Sequence, residues 1–300
     1  MILVVCPNLA VDYTMRVDKL RLGHVHRSHT YERQAGGKGV NTARALRALG
    51  QEPLICGFIG GESGRFIERG LAEEKLRREL VPIESESRTC VIVLSEDGEA
   101  TVVNESGPTV TESDALMSLV ATLIPGSDAV AMMGSLPPGM PSDSYAQIAK
   151  RCRDAEVPCL VDASGPTLES ALKERPTYAK PNRAEAEELL GGSLSDEIAA
   201  AREIRHLGAE VVVLTLGDEG AVLSASGLEG RLQPPTLAPV NPTGAGDALA
   251  AGLLAGHLRG GSLREIATVG MAAATASVRH GYGRIRPSEV QTQAVRFEEL

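Results

Sequence analysis

Asn241-Pro242-Thr243-Gly244-Ala245-Gly246-Asp247 runs straight into Ala248-Leu249-Ala250-Ala251-Gly252-Leu253-Leu254-Ala255-Gly256, and the joint between the two decides how the chain is read. Pro242 and two glycines beside a helix-forming run predict a tight turn that opens a helix. That helix is apolar on nearly every face, so it belongs inside the protein. A buried helix start leaves backbone N–H groups without partners, and Gly244 and Gly246 leave room for a ligand to reach them. An anion suits the place, drawn by the free donors and by the positive end of the helix dipole. Asp247 sits badly beside an anion unless it does chemistry. A carboxylate there can take a proton from a hydroxyl while amides hold charge on a migrating phosphoryl group. The plain alternatives are an Asp that merely suits the dipole and glycines that merely permit close packing.

Composition narrows the class. Three hundred residues are ample for one large α/β domain or two smaller ones, and 43% hydrophobic with 23% charged residues is ordinary for a globular chain. No apolar run approaches the roughly 20 residues of a membrane span. Met1-Ile2-Leu3-Val4-Val5-Cys6 lacks a basic leader and reads directly as a strand. Five scattered cysteines (Cys6, Cys56, Cys90, Cys152, Cys159) without CxxC spacing point to buried free thiols in a reducing cytoplasm and to no zinc site. The net charge of −9 argues against nucleic acid or an anionic membrane surface as partner. An anionic substrate must then be captured by a local basic cluster.

Working outward, Val11–Val17 alternates like a strand with one wet face, and His24–Arg33 is again β-like. Ala35-Gly36-Gly37-Lys38-Gly39-Val40-Asn41 precedes a helix expected to run to Gly50. It is not a Walker motif, because Glu32 and Gly39 occupy the places of the required Gly and hydroxyl. It reads either as a Gly-rich loop capping a helix or as a backbone lying flat against a ligand, with Lys38 and Asn41 as donors. Leu54–Ile59 is a second buried strand, followed by a charged helix expected to reach about Leu80. Thr89–Leu94 and Ala100–Val103 read as strands joined at Glu96-Asp97-Gly98-Glu99, a strong hairpin signal. With residues 11–36 they make a four-stranded, one-sided sheet. From Thr111 on, helices (112–123, 142–154, 183–190, 196–207) alternate with apolar strands (Ala129–Met133, Cys159–Val161, Val211–Leu214). That alternation predicts a mostly parallel sheet covered on both faces, with ligands beyond the carboxyl ends of its strands. The polar motifs fall there: Gly134-Ser135-Leu136-Pro137-Pro138-Gly139, Asp162 at a strand end, Lys180-Pro181-Asn182-Arg183-Ala184-Glu185, and Thr215-Leu216-Gly217-Asp218-Glu219-Gly220. The Pro-rich piece at 234–239 reads as a loop feeding the site. His24, His26 and His29 form no metal constellation.

Residues 241–247 resemble the C-terminal signature of the PfkB-type (ribokinase-like) sugar kinases, and Ala35–Ala45 resembles the N-terminal one, in the expected order. The resemblance implies a three-layer α/β/α core (1–10, 37–86 and 106–300) with a mostly parallel sheet, plus a small β-sheet lid (11–36 and 87–105) that often forms a dimer contact. It implies Asp247 as base and the amides of Gly244, Ala245 and Gly246 as the phosphoryl cradle. Asp12, Gly36, Gly37, Lys38, Asn41, Arg88 and Ser135 would hold the sugar. Lys180, Asn182, Thr215, Gly217, Gly220, Gly244 and Gly246 would hold ATP. Glu185 and Asp162 would attend Mg²⁺, although Glu185 also reads as a loose helix cap and Asp162 as turn chemistry. Arg88, Lys38 and Gly-Ser-Leu-Pro-Pro-Gly resemble the branch that phosphorylates fructose 1-phosphate, tagatose 6-phosphate or fructose 6-phosphate. Thr101-Val102-Val103 departs from it by lacking that branch's second lid cation, which keeps an unphosphorylated sugar or nucleoside open. A nucleotide-binding sensor on the same fold would need the anion hole but no base. A Rossmann dehydrogenase is disfavoured because no Gly-x-Gly-x-x-Gly follows the first strand.

Overall fold

Ile2 and Val4 point to one side of the first strand and Leu3 and Val5 to the other, and each pair enters its own buried cluster. This period of two over an unbroken apolar run is the mark of a strand covered on both faces. The computed structural model describes residues 1–28, 30–96, 100–236 and 241–300. The chain opens with β1 (Ile2–Val5), β2 (Ala10–Val17), β3 (Thr30–Gly36), α1 (Lys38–Ala48), β4 (Pro53–Gly60), α2 (Gly61–Glu73) and β5 (Arg77–Ile83). It continues with β6 (Arg88–Ser95), β7 (Ala100–Asn104), α3 (Ser113–Leu123), β8 (Ala129–Met133), α4 (Ser144–Asp154), β9 (Cys159–Asp162) and α5 (Gly165–Leu172). Then come β10 (Tyr178–Ala179), α6 (Arg183–Leu190), α7 (Glu197–His206), β11 (Val211–Thr215), β12 (Ala221–Ala225), β13 (Leu228–Gln233), α8 (Ala245–Leu258), α9 (Leu263–Ser277) and β14 (Arg296–Glu299).

The main sheet has ten strands in the order β14-β13-β12-β11-β10-β9-β8-β1-β4-β5. It is parallel from β5 to β11 and antiparallel from β11 through β14. Helices α1, α2, α8 and α9 bury one face, and α3 to α7 the other. α8 is buried from Asp247 to Gly256, as its all-round apolar surface requires. It packs so closely on α9 that a Cβ at Gly252 would stand 2.6 Å from the Gly270 Cα. The four-stranded sheet expected from the sequence is present, in the order β3-β2-β6-β7.

Three expectations need correction. α2 stops at Glu73, and residues 77–83 form the strand β5, parallel to β4. The stop falls at Lys75, a left-handed residue (φ 54°) where no glycine marks a break. The β-like reading from His24 is too early, since β3 begins at Thr30. Helices α5 and α9 and strands β5, β10, β12, β13 and β14 are additional to those expected. Asp97, Gly98 and Glu99 of the hairpin turn, His29, and Pro239 of the Pro-rich loop lie outside the described residues. All five cysteines are free and buried. Among the described residues no helix is long and apolar enough to cross a membrane.

Candidate active site

α8 begins at Ala245, behind Gly244 in the left-handed region (φ 84°), so the turn aims its first amides outward from a buried helix end. The Ala245 N–H is spent on the Pro242 carbonyl at 3.1 Å. Among the described residues the Gly244 and Gly246 amides have no backbone acceptor. The Lys180 ammonium flanks the turn, 3.3 Å from where a Cβ at Gly246 would stand. Free amides, a helix N-terminus and an ammonium therefore meet at one place, a fit for a phosphoryl group.

Asp247, 6% exposed, stands in the first turn of α8. Burial pushes its carboxyl up to about 6; the nearby Asp162 adds to the shift, and Lys38 opposes it. Asn41 Nδ2 donates to its Oδ2 at 2.9 Å. The amide orientation of Asn41 is set from behind: Arg44 Nη1 donates to Asn41 Oδ1 at 3.1 Å, which leaves Nδ2 for Asp247. Arg44 is itself buried, forked onto Glu74 at 2.7 and 2.6 Å and bonded to the Ala35 carbonyl at 2.7 Å. Arg44→Met strands Glu74 and that carbonyl, so a loss of about 3 kcal/mol in urea unfolding is expected. A loss below about 0.5 kcal/mol, the scale of an ordinary surface substitution, would mean the fork carries no load.

A second group forms around Asp162, which ends β9 with no exposed side-chain surface. Lys38 Nζ lies 2.6 Å from its Oδ1, and Lys180 Nζ 2.8 Å from its Oδ2 in ion contact. Burial works against both charges at this pair. Even so, Asp162 and Glu185 hold Lys38 far above its usual range, and Lys180 and Lys38 hold Asp162 below the usual carboxylate range. Glu185 Oε1 reaches Lys38 at 3.2 Å. Its Oε2 accepts from the Asn182 N–H and its own N–H donates to Asn182 Oδ1, both at 2.9 Å, a full reciprocal capping box on α6. The cap is thus complete where the sequence suggested a loose one.

The small sheet closes the site from the other side. Its register places Gln34, Asp12, Cys90 and Asn104 in one row, and Glu32, Thr14, Ile92 and Val102 in the next. Burial pushes the Asp12 carboxyl up to about 6, against Arg44 and Arg88. Arg88 donates to the carbonyls of Asn8 at 3.1 Å and Glu105 at 3.2 Å through Nε and Nη1. Among the described residues its Nη2 has no protein acceptor.

Between sheet and turn lies a cavity of 290 Å³. Of the residues expected from sequence, Asp12, Gly37, Lys38, Asn41, Arg88, Ser135, Glu185, Gly244 and Asp247 line it together. Gly36 stands behind, where any Cβ would overlap the Asp12 carboxylate. Asp162, Lys180, Ala245 and Gly246 lie outside the lining, held to it by the contacts above. Asn182 and Thr215 bridge neighbouring strand ends, with Gly217 and Gly220 in the turn after β11. Of these only Asn182 is close to Lys180 in sequence, and none of the four lines the cavity. Cys90, Ile92, Val102, Asn104, Ser164 and Thr243 also line it; the motif reading gave none of them a binding role, although Thr243 lies within Asn241–Asp247 and Ser164 two residues after Asp162. The register of β7 against β6 brings in Asn104 and Val102; only an alignment of those two strands could have found them.

The fold and this cavity suit phosphoryl transfer. The pfkB family carbohydrate kinase model matches residues 1–289, and the chain belongs to that family. Escherichia coli phosphofructokinase-2 in complex with substrates and products is 26% identical, with a TM-score of 0.89 over 97% of each chain. A Thermotoga maritima protein described as "Possible 1-phosphofructokinase" is 22% identical over 100% of this chain and 99% of that one, at a TM-score of 0.90. An Agrobacterium tumefaciens carbohydrate kinase is 23% identical over the same shares, at 0.77. The last two show the fold alone.

Proposed function

We propose that this carbohydrate kinase transfers the γ-phosphoryl group of ATP to a hydroxyl of a phosphorylated ketohexose. Fructose 1-phosphate, tagatose 6-phosphate and fructose 6-phosphate are the candidate acceptors. The observation that carries the reading is Asp247, a buried carboxylate fixed by Asn41 in one cavity with Asp12, Lys38 and Arg88. In this scheme Asp12 and Asn41 orient the sugar, Asp247 removes the proton from its hydroxyl, and the Gly244 and Gly246 amides with Lys180 stabilise the moving phosphoryl. Ala245 drops out as a donor because its N–H is committed to Pro242. Alignment and charge stabilisation supply most of the rate. Asn182, Thr215, Gly217 and Gly220 are assigned to the nucleotide, beyond the turn from the sugar.

Mg²⁺ would serve to neutralise phosphate charge. The donor set fits an ion held by phosphates and water, with Glu185 reaching its waters, since Mg²⁺ dehydrates reluctantly. Asp162 fits poorly as a ligand, because both its oxygens face lysines. Its role in the scheme is to anchor Lys38 and Lys180.

The Nη2 of Arg88, without a protein acceptor among the described residues, supports a phosphorylated acceptor, since a guanidinium edge suits a phosphate. Arg88→Ala is expected to lower kcat/KM for phosphorylated ketohexoses by about tenfold to a hundredfold, the scale of one charge-assisted hydrogen bond. Free fructose should be little affected, and equal losses for both would remove Arg88 from phosphate recognition. A second reading rests on Ile92 and Val102, which present apolar surface to the cavity where a second cation would serve a phosphate. Under it the acceptor is unphosphorylated, and free fructose outperforms the three phosphates in the same comparison. A sensor without turnover is disfavoured by the retained base.

The small sheet is assigned as a lid (11–36 and 87–105) and as the contact of a homodimer. Tyr31, Val102 and Val103 are 71%, 48% and 63% exposed on it, which supports that assignment. A tetrameric inhibited form is described for phosphofructokinase-2 from Escherichia coli.

A further inference from the structure

We infer that Tyr282 is a latch that fixes the small sheet to the phosphoryl-holding turn, so that acceptor and donor sites keep one spacing. The inference rests on the proposed function for its catalytic consequence, though not for its geometry.

Tyr282 belongs to Arg279-His280-Gly281-Tyr282-Gly283-Arg284, the segment after α9. Its φ is 57°, a left-handed conformation that is unfavourable for a bulky residue. Gly281 and Gly283 on either side are also left-handed, at 75° and 68°. The strain at Tyr282 persists only where the surroundings impose it, and the backbone here lies against the 241–244 turn and Asn41. The Tyr282 N–H donates to the Thr243 carbonyl at 2.6 Å, one residue before Gly244. A Cβ at Gly244 would stand 2.5 Å from the Gly283 nitrogen, and a Cβ at Gly283 would overlap the Asn41 carbonyl. A Cβ at Gly281 would lie 2.6 Å from Asn241 Nδ2. The main chain of this triplet is therefore wedged against both ends of the turn and against the residue that holds Asp247.

The side chain reaches the small sheet. The ring is 2% exposed and packs with Ile92 and Leu94 on the inner face of the small sheet. Its hydroxyl is hydrogen-bonded to that of Thr14 on β2. Thr14 is two residues from Asp12, so the two share a face, and fixing one fixes the other. Arg284 adds a second tie: its guanidinium lies over the Tyr282 ring, 5.9 Å from the centroid, and reaches Glu32, the β3 residue paired with Thr14. One residue thus touches the strand carrying Asp12 and the turn proposed as the phosphoryl cradle.

That spacing matters because in-line transfer needs reacting atoms about 3–3.5 Å apart, and a misplacement of about 1 Å can cost on the order of a hundredfold. Tyr282 touches no reacting atom in this scheme; it is a positioning residue. Loosening the latch should let the sheet stand off the turn, which weakens acceptor binding and admits water to the phosphoryl site.

The test uses Tyr282→Phe, which keeps the ring packing and removes only the hydroxyl, and Thr14→Val, nearly isosteric, which removes the other half of the bond. Hydrogen exchange on the unliganded protein reads the latch without turnover. Thr14→Val should speed amide exchange in residues 241–247 as well as in β2, with Thr14→Ser restoring the wild-type rates. Acceleration confined to β2 would overturn the inference. In turnover, Tyr282→Phe should raise the acceptor KM at least threefold, lower kcat about tenfold, leave the ATP KM within twofold, and form more ADP than sugar phosphate. Thr14→Val should match it, and the double variant should be no worse than either single one, as coupled groups behave. Wild-type KM, kcat and one-to-one stoichiometry in Tyr282→Phe would also overturn it. A wild-type protein that phosphorylates no sugar would sink the proposed function instead, and the exchange result would still decide the latch.

Discussion

Asp247→Asn is expected to lower kcat by about 10²–10⁴, the range of a lost general base, while KM for sugar and ATP stays near the wild-type value. The substitution is nearly isosteric, and its remaining carbonyl oxygen can still accept the Asn41 Nδ2–H that Asp247 accepts at 2.9 Å. Geometry is therefore kept, and under the proposed function only the proton acceptor is lost. The pH dependence follows from the same carboxyl. Burial, with Asp162 adding, pushes it up to about 6, and it must be ionised to act, so wild-type kcat/KM should climb as pH rises through about 6. Asp12, pushed up to about 6 by burial, shares that limb. In Asp247→Asn the residual rate should retain only the part of the limb due to Asp12.

Stability should move the opposite way. A carboxyl whose folded pKa lies above its ordinary 3.8 binds more protons in the folded state, so stability falls as pH rises from about 4 to about 6. Removing the ionisable group relieves that cost. Asp247→Asn should melt higher than wild type above pH 6, by an amount on the order of 2 kcal/mol, and match it below about pH 4. A variant that is slower yet more stable at neutral pH is the pattern of a site residue held in an unfavourable place for its chemistry. Thermal melts at pH 4 and pH 7.5 check it, and a variant less stable than wild type at the higher pH would contradict the assigned shift.

Gly244→Ala should be nearly as damaging, by a different route. At φ 84° an alanine is strained by about 1–2 kcal/mol, and its Cβ would stand 2.5 Å from the Gly283 nitrogen and 2.9 Å from the Tyr282 carbonyl carbon. Both obstacles are backbone and cannot rotate away, so the turn must shift. Losing an aligned amide donor at a phosphoryl group is expected to lower kcat by about 10²–10³. The melting temperature should fall as well. Because the shift is in the cradle, acceptor KM should change far less than kcat. A variant with wild-type kcat would show that the turn shapes α8 and holds no phosphoryl group.

The parts of the site that were legible in the sequence are those whose chemistry is local. Pro242, Gly244 and Gly246 announce a turn by their own backbone preferences, and Gly36-Gly37-Lys38-Gly39 does the same at α1. The strand-end motifs followed from the alternation of helix and strand, because a parallel sheet collects its loops at one edge. Lys75 shows where this reading stops. A left-handed lysine ends α2 without a glycine, and Arg77–Ile83 carries enough charge to pass for the rest of a helix. The role of Asp162 was hidden for another reason. A lone Asp after an apolar strand looks like turn chemistry, and only the fold brings Lys38, far away in the chain, within 2.6 Å of it. Arg44 reads as a helix surface charge until Glu74 and Ala35 are seen around it. Tyr282 was the least legible, since its partners Thr14 and Thr243 come from opposite ends of the chain and its left-handed backbone is disfavoured in its residue type.

The measurement that bears most directly on the central claim is ADP formation by the purified protein with MgATP and each candidate acceptor in turn, with Asp247→Asn run alongside. ADP release should depend on a ketohexose phosphate, match the sugar bisphosphate formed, and fall at least a hundredfold in the variant, as loss of a general base requires. ADP formed at the same rate without any sugar, or unchanged by the Asp247 substitution, would contradict it.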